Sequence, residues 1–265
     1  MRPDTRSAWI WLPPVLALAL LAVLAASAAN RGLFVLLNRC GHPLGDTLWL
    51  NLTMLGDGAV ALAMVLPAIR RSPRCFWAAL VAAVVAALWV HVLKQVVSMP
   101  RPLAVLPSDL FFQSGPAFRA VSFPSGHAAA IFAIAGIWIM ALPGRNLARA
   151  LLLALAALVS LSRVMVGVHW PVDILWGMLG GWLGAWTGHA LYARYQWKTG
   201  GAGGVLAGGV LLLVAAALLV SDHVRIPEVL PLQRALGAIC LAWGAAEMWL
   251  MLPRLHPVKG GLDGQ

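Results

Sequence analysis

The chain has 265 residues, 61% of them hydrophobic and 11% charged, with a net charge of +10, a mean hydropathy of +0.85 and a pI near 11.0. Soluble domains average roughly 45–50% apolar and about 25% charged residues, so a water-soluble core is excluded and the bilayer must solvate most of this surface. The positive charge lacks the basic stripe with interleaved aromatics that nucleic acid binding uses. Its Lys and Arg cluster between apolar runs, as anchors against anionic headgroups do, so the expected partner is the membrane bilayer and not a nucleic acid.

A helix needs about 20 apolar residues to cross a bilayer. Eight runs meet or approach that length, at 9–29, 48–69, 76–97, 128–142, 148–168, 174–192, 205–220 and 235–252. They are too long for strands and show no barrel-like alternation. The predicted fold class is therefore all-α, a polytopic membrane helical bundle. The first run follows Arg2 and Arg6, and Ala26-Ser27-Ala28 resembles a signal cleavage site. It is longer than the roughly 7–15 residues of a signal core, so a retained helix is expected. Trp9, Trp11, Trp49, Trp77, Trp170 and Trp197 fall at the ends of runs, where an interfacial belt would place them.

Connections are short except 98–127, whose Pro and Phe content points to an ordered lid rather than a disordered tail. The Gly-rich stretch 199–204 reads as a joint between a six-helix unit, 1–198, and a two-helix C-terminal extension, 199–265. Cys40, Cys75 and Cys240 have no ligand spacing, so neither a disulfide nor a zinc site is expected. Sorting Lys and Arg by side gives Arg2, Arg6, Arg70, Arg71, Arg74, Arg145, Arg149, Arg194, Lys198, Arg254 and Lys259 against eight others. The positive-inside rule then makes both termini cytoplasmic.

Three polar clusters interrupt the apolar background, and this topology puts all of them on the non-cytoplasmic side. They are Lys94 through Arg101-Pro102, Pro124-Ser125-Gly126-His127, and Ser162-Arg163 through His169 to Asp173. Lys94, Arg101 and Arg163 are cations at a membrane boundary, costly unless partnered. Only Asp173 and Asp109 are close in sequence, too few for three cations, whereas a phosphate dianion suits two guanidinium groups and an ammonium. Ser125 and Gly126 open a helix whose unpaired N–H groups form an anion cradle. His127 and His169 bring acid–base and nucleophilic capacity. Asp173 falls in the first turn after Pro171 and can hydrogen-bond His169, fixing its tautomer. Ser162 is a weaker candidate. Asp57, between Gly56 and Gly58 and well inside the expected second helix, is expected to pair with His91 of the third.

At these residues the chain resembles the type 2 phosphatidic acid phosphatase family, related to vanadium haloperoxidases and bacterial acid phosphatases. The family pattern K-x6-RP, PSGH and SR-x5-H-x3-D is matched at every fixed position between Lys94 and Asp173. The resemblance implies a six-helix phosphatase core and a phosphorylated lipid as substrate. It implies His169 as the nucleophile that forms a phosphohistidine, His127 as the proton donor to the leaving group, and Asp173 as the group that orients His169. Lys94, Arg101, Ser125, Gly126 and Arg163 would bind the phosphoryl group, with no cofactor and no divalent metal, the cations taking that part. Undecaprenyl diphosphate, phosphatidic acid, phosphatidylglycerol phosphate and lipid A phosphates all fit. Transfer of the phosphoryl group to a lipid acceptor stands as the alternative to hydrolysis. A transporter fits less well, because its polar groups would gather at mid-membrane.

Overall fold

The structure, a computed structural model, describes residues 7–251. Of the charges that set the orientation, Arg2, Arg6, Arg254 and Lys259 lie outside the described residues. Twelve α-helices follow one another within them: α1 (Ala8–Ser27), α2 (Asn30–Gly41), α3 (Asp46–Met54), α4 (Gly58–Ala63), α5 (Ala68–Arg71), α6 (Pro73–Val96), α7 (Pro102–Val105), α8 (Gly126–Ala141), α9 (Asn146–Met165), α10 (Pro171–Tyr195), α11 (Ala202–Val220) and α12 (Leu230–Trp249). No strand forms among the described residues, only one isolated antiparallel bridge between Pro100 and Val121.

The chain is a polytopic membrane bundle, but the expected set of eight spans is not met helix for helix. By length and apolar character α1, α6, α9, α11 and the segment Pro227–Trp249 qualify as membrane spans, and α8 is apolar but only 16 residues long. The run 48–69, expected as one helix, is broken into α3, α4 and α5. The break falls at Gly56-Asp57-Gly58, where Asp57 turns extended and its carboxylate accepts from Ala59 N and Val60 N. Asp57 is thus a helix cap and does not sit mid-helix; the flanking glycines offer little resistance to leaving the helix. The chain between the first and second runs also holds α2, which hydropathy alone does not flag. Its buried Phe34, Asn38 and Gly41 follow at i, i+4 and i+7 along one helical face.

The core is the group of α6, α8 and α10, with Ala and Gly at the contacts. A Cβ on Gly181 of α10 would lie 2.2 Å from the Ala129 carbonyl oxygen of α8, and one on Gly188 2.2 Å from the Ala78 carbonyl oxygen of α6. Without a water-driven hydrophobic force between helices, close backbone approach of this kind supplies the packing. Helix α1 docks on α10, where Trp182 Nε1 donates to Ile10 O at 2.9 Å. Helices α11 and α12 pack on each other and against α4 and α5. The buried Glu247 of α12 accepts from Arg70 and Arg71 of α5 and from Trp243 Nε1.

Overpacking a close-packed contact costs roughly 1–3 kcal/mol, and a side chain at Gly181 meets backbone that cannot yield. Gly181→Leu should therefore lower the thermal unfolding midpoint of the detergent-solubilised protein. Gly209→Leu, where a Cβ meets nothing within 4 Å, should leave it in place.

Candidate active site

Four stretches of chain deliver the site. Helix α6 ends with Lys94 in its last turn, the chain turns through Arg101, α8 begins at Gly126, and α9 ends at Met165 just after Arg163. A cavity of about 450 Å³ opens between them, and its wall includes Lys94, Arg101, Gly126, His127, Arg163 and His169. The three cations and two imidazoles expected from sequence are thus brought together around one space.

Each cation is steered by neutral oxygens. Arg101 Nη1 donates to Val168 O at 2.9 Å, Lys94 Nζ to Val121 O at 3.2 Å, and Arg163 Nη1 to Thr53 Oγ1 at 2.9 Å. The Nε atoms of Arg101 and Arg163 are buried and have no hydrogen-bond partner among the described residues. Such donors are costly to leave unmade, and both belong to guanidinium groups on the cavity wall.

His169 sits in the turn between α9 and α10, 3% exposed. Its Nδ1 lies 3.1 Å from Asp173 Oδ2, an oxygen that also accepts from Trp170 N at 2.9 Å. Pro171 and Asp173 in the first turn of α10 produce this arrangement. With Nδ1–H donated to the carboxylate, Nε2 carries the lone pair. Nε2 lies 3.4 Å from Arg101 Nη1, on the cavity side. Burial, then the charges of Arg163, Arg101 and Lys94, hold the imidazole well below the ordinary histidine pKa.

Other expected residues stand behind the wall. Ser125 is fully buried, and its hydroxyl accepts from Ala128 N at 3.3 Å as the cap of α8. Its backbone N–H donates to Asp173 O at 3.0 Å, joining the start of α8 to that of α10. Ser162 is fully buried too; it donates to Val159 O at 2.6 Å and lies 2.9 Å from Thr53 Oγ1. The expected pairing of Asp57 with His91 is not made. Asp57 lines the cation-walled cavity and its Oδ1 lies 3.2 Å from His223 Nε2, whereas His91 lines a different, apolar cleft. The break after α3 turns the carboxylate toward α4's first N–H groups and away from α6.

Two further residues carried no motif. Thr53 aims Arg163, and its only sequence signal is its place four residues before Asp57. Asn38 of α2 reaches Val164 O at 3.1 Å and Met165 O at 2.8 Å, and accepts from Phe112 N at 2.7 Å. It therefore ties the segment 98–127 to the end of α9. Phe111 of that segment packs edge-on against Phe34, with ring centroids 5.2 Å apart.

Residues 75–199 match the family model described as the PAP2 superfamily. Over this stretch, a little under half of its length, the chain is similar to that superfamily. Its relatives include YbjG of Escherichia coli K12, 41% identical over 83 residues, which are 28% of this chain and 41% of that protein. The undecaprenyl-diphosphatase of Sulfolobus acidocaldarius is 29% identical over 157 residues, 59% of this chain and 68% of that protein. The match to YbjG thus spans well under two thirds of YbjG's own length. Among solved structures, Aquifex aeolicus LpxE is 29% identical with a TM-score of 0.51, covering 63% of this chain and 95% of that one. The PAP2 match ends at residue 199, so α11 and α12 lie beyond it.

The depressed affinity of His169 for a proton has a definite sign. Above about pH 6.5, the ordinary histidine value, neither folded nor unfolded chain protonates it. Below that pH the unfolded chain takes the proton first, and the folded state loses stability until the folded pKa is reached. In histidine-labelled protein without ligand, the resonance lost in His169→Asn should titrate below pH 6.5. Added orthophosphate, by offsetting the three cations, should move that titration upward.

Proposed function

We propose that the chain is a membrane lipid-phosphate phosphatase, a metal-independent hydrolase that works through a phosphohistidine on His169. The observation that carries this reading is the single cavity in which Lys94, Arg101, Arg163, His127 and His169 meet, within a bundle of apolar helices.

The steps follow from the geometry. The reacting phosphoryl group rests on Lys94, Arg101 and Arg163, with the N–H groups at the start of α8 facing its oxygens. The two unpartnered guanidinium Nε atoms supply directed donors, and their electrostatic gain grows as charge develops in the transition state. Nε2 of His169 attacks phosphorus, and the bond to the leaving oxygen breaks. His127 delivers the proton that the leaving alkoxide or phosphate needs. Asp173, bonded to Nδ1–H, stabilises the substituted imidazolium. Water, deprotonated by His127, then cleaves the P–N bond and releases inorganic phosphate.

A lipid substrate is supported by a second cavity of about 490 Å³ between α4, α6 and α8, lined by Leu62, Val65 and Val90 and by alanines. Lys94 and Gly126 belong to the walls of both cavities. A phosphate on the cations can therefore carry an apolar tail into the cleft without leaving the protein, the form expected of a lipid site. The distribution of Lys and Arg supports a site on the non-cytoplasmic face with both termini cytoplasmic, and the proposed location is a bacterial inner membrane. The name of the Sulfolobus relative makes a lipid diphosphate the leading substrate class. Residues 1–198 would form the phosphatase core and 199–265 an added membrane unit.

Purified protein in detergent with EDTA should release phosphate from farnesyl diphosphate or phosphatidic acid, and His169→Ala should reduce release by at least about 1,000-fold. Undiminished release by that variant would refute the mechanism, and labelled phosphate appearing on a lipid instead of in solution would make the chain a transferase. In the first turnover, read as release of the leaving alcohol or phenol before the phosphohistidine is hydrolysed, His127→Ala should lose about 100- to 10,000-fold on such lipids but far less on p-nitrophenyl phosphate, whose leaving group needs no proton. Equal losses on both substrates would remove His127 as the acid.

A further inference from the structure

The turn joining α11 to α12 reaches the catalytic cavity. His223, Val224 and Ile226 form part of its wall, although they lie beyond the residues that match the PAP2 superfamily. The turn is held firmly. Buried Gln233 donates to Leu218 O at 2.8 Å and to Ser221 O at 2.7 Å, and accepts from Val224 N at 3.3 Å. Its side chain thus spans the turn from one end to the other.

His223 is held from the other side by the phosphatase core. Its Nε2 meets Asp57 Oδ1 at 3.2 Å, and Asp57 is itself fixed as the cap of α4. The ring's other nitrogen, Nδ1, has no hydrogen-bond partner among the described residues, and the side chain is 42% exposed. An imidazole oriented by a carboxylate, with one nitrogen left for a ligand, is built for recognition.

Its place says what it would recognise. Asp57 lines the catalytic cavity and the next residue, Gly58, lines the apolar cleft. The two cavities share Lys94 and Gly126, and the His223–Asp57 pair stands on the wall of the first, one residue along the chain from the wall of the second. A substrate with its reacting phosphoryl on the three cations and its tail in the cleft passes its linking atoms along this wall. In a monophosphate those atoms are an uncharged alkyl or glyceryl oxygen. In a lipid diphosphate they are the second phosphoryl group, whose anionic oxygens suit the imidazolium form of His223, with Nε2–H donated to Asp57 and Nδ1–H to the phosphoryl oxygen.

We propose that His223, positioned by Asp57, is a specificity residue that binds the second, tail-proximal phosphoryl group of a lipid diphosphate. The C-terminal helix pair is then part of the substrate site. This rests on the phosphatase reading above, and the test separates the two.

Farnesyl diphosphate and farnesyl monophosphate present the same tail with and without that group. In purified protein, His223→Ala should lower the diphosphate-to-monophosphate ratio of kcat/KM by about tenfold, the worth of one charge-assisted hydrogen bond, mainly through KM for the diphosphate. His223→Gln, which keeps a donor, should recover part of the ratio. Asp57→Asn keeps a good cap for α4 but frees the ring, and should shift the ratio the same way. A ratio unchanged in His223→Ala, or both substrates falling in step, would overturn the assignment. If the wild type hydrolyses neither lipid, the phosphatase reading fails by itself, and calorimetric binding decides the inference. His223→Ala must then weaken inorganic pyrophosphate more than orthophosphate, and an equal effect on both would end it.

Discussion

Three like charges converge on a single cavity, and most of the structure serves to make that tolerable. Lys94, Arg101 and Arg163 approach from α6, the following turn and α9, and the positive end of α8 points at the same space. Asp173 stands behind His169, and Asp57 already serves an imidazole and a helix end. What steadies the cations is neutral: the carbonyls of Val168 and Val121 and the hydroxyl of Thr53. These oxygens orient each charge without cancelling it. The cavity stays suited to an anion, and burial with the same charges holds the His169 imidazole well below the ordinary histidine pKa.

Holding helix ends so close requires helices that nearly touch. The Gly and Ala contacts of α10 with α8 and α6 do this, with backbone against backbone. The hydrogen bond from Ser125 N to Asp173 O then carries that closeness to the ends of α8 and α10, beside His127 and His169. The serine of the PSGH stretch thus has a structural task, binding two helix starts together, whatever it does for a phosphate.

The sequence was most informative where function is local. Lysine to arginine, serine–arginine to histidine and histidine to aspartate are short spacings at helix ends, so each motif carried its own geometry, and the chain folds them into one cavity. Long-range contacts left no such mark. Thr53 lies 110 residues from Arg163, Asn38 lies 126 from Val164, and Asp57 lies 166 from His223. Glu247 likewise gave no hint of Arg70 and Arg71, far back in the chain. Hydropathy also misjudged continuity, because 48–69 is apolar enough for a span yet Gly56-Asp57-Gly58 breaks it. Helix α2 escaped notice for the opposite reason, being short and polar on its exposed side.

That break ties the two parts of the chain together. A carboxylate inside an unbroken span would be an expensive, unpaired charge. By ending one helix and starting the next at this point, the chain exposes two N–H groups that Asp57 can satisfy and offers its carboxylate to an imidazole. The same interruption frees α4 and α5 as short segments on which α11 and α12 can lie, with Glu247 secured to Arg70 and Arg71 at α5 and His223 to Asp57 at α4. The C-terminal pair is thus attached at the start of α4 and at α5, and Asp57 at the first of these forms part of the wall of the cation-lined cavity. Through the contact of His223 with Asp57, residues of the pair complete the wall of the cavity that Lys94, Arg101 and Arg163 share.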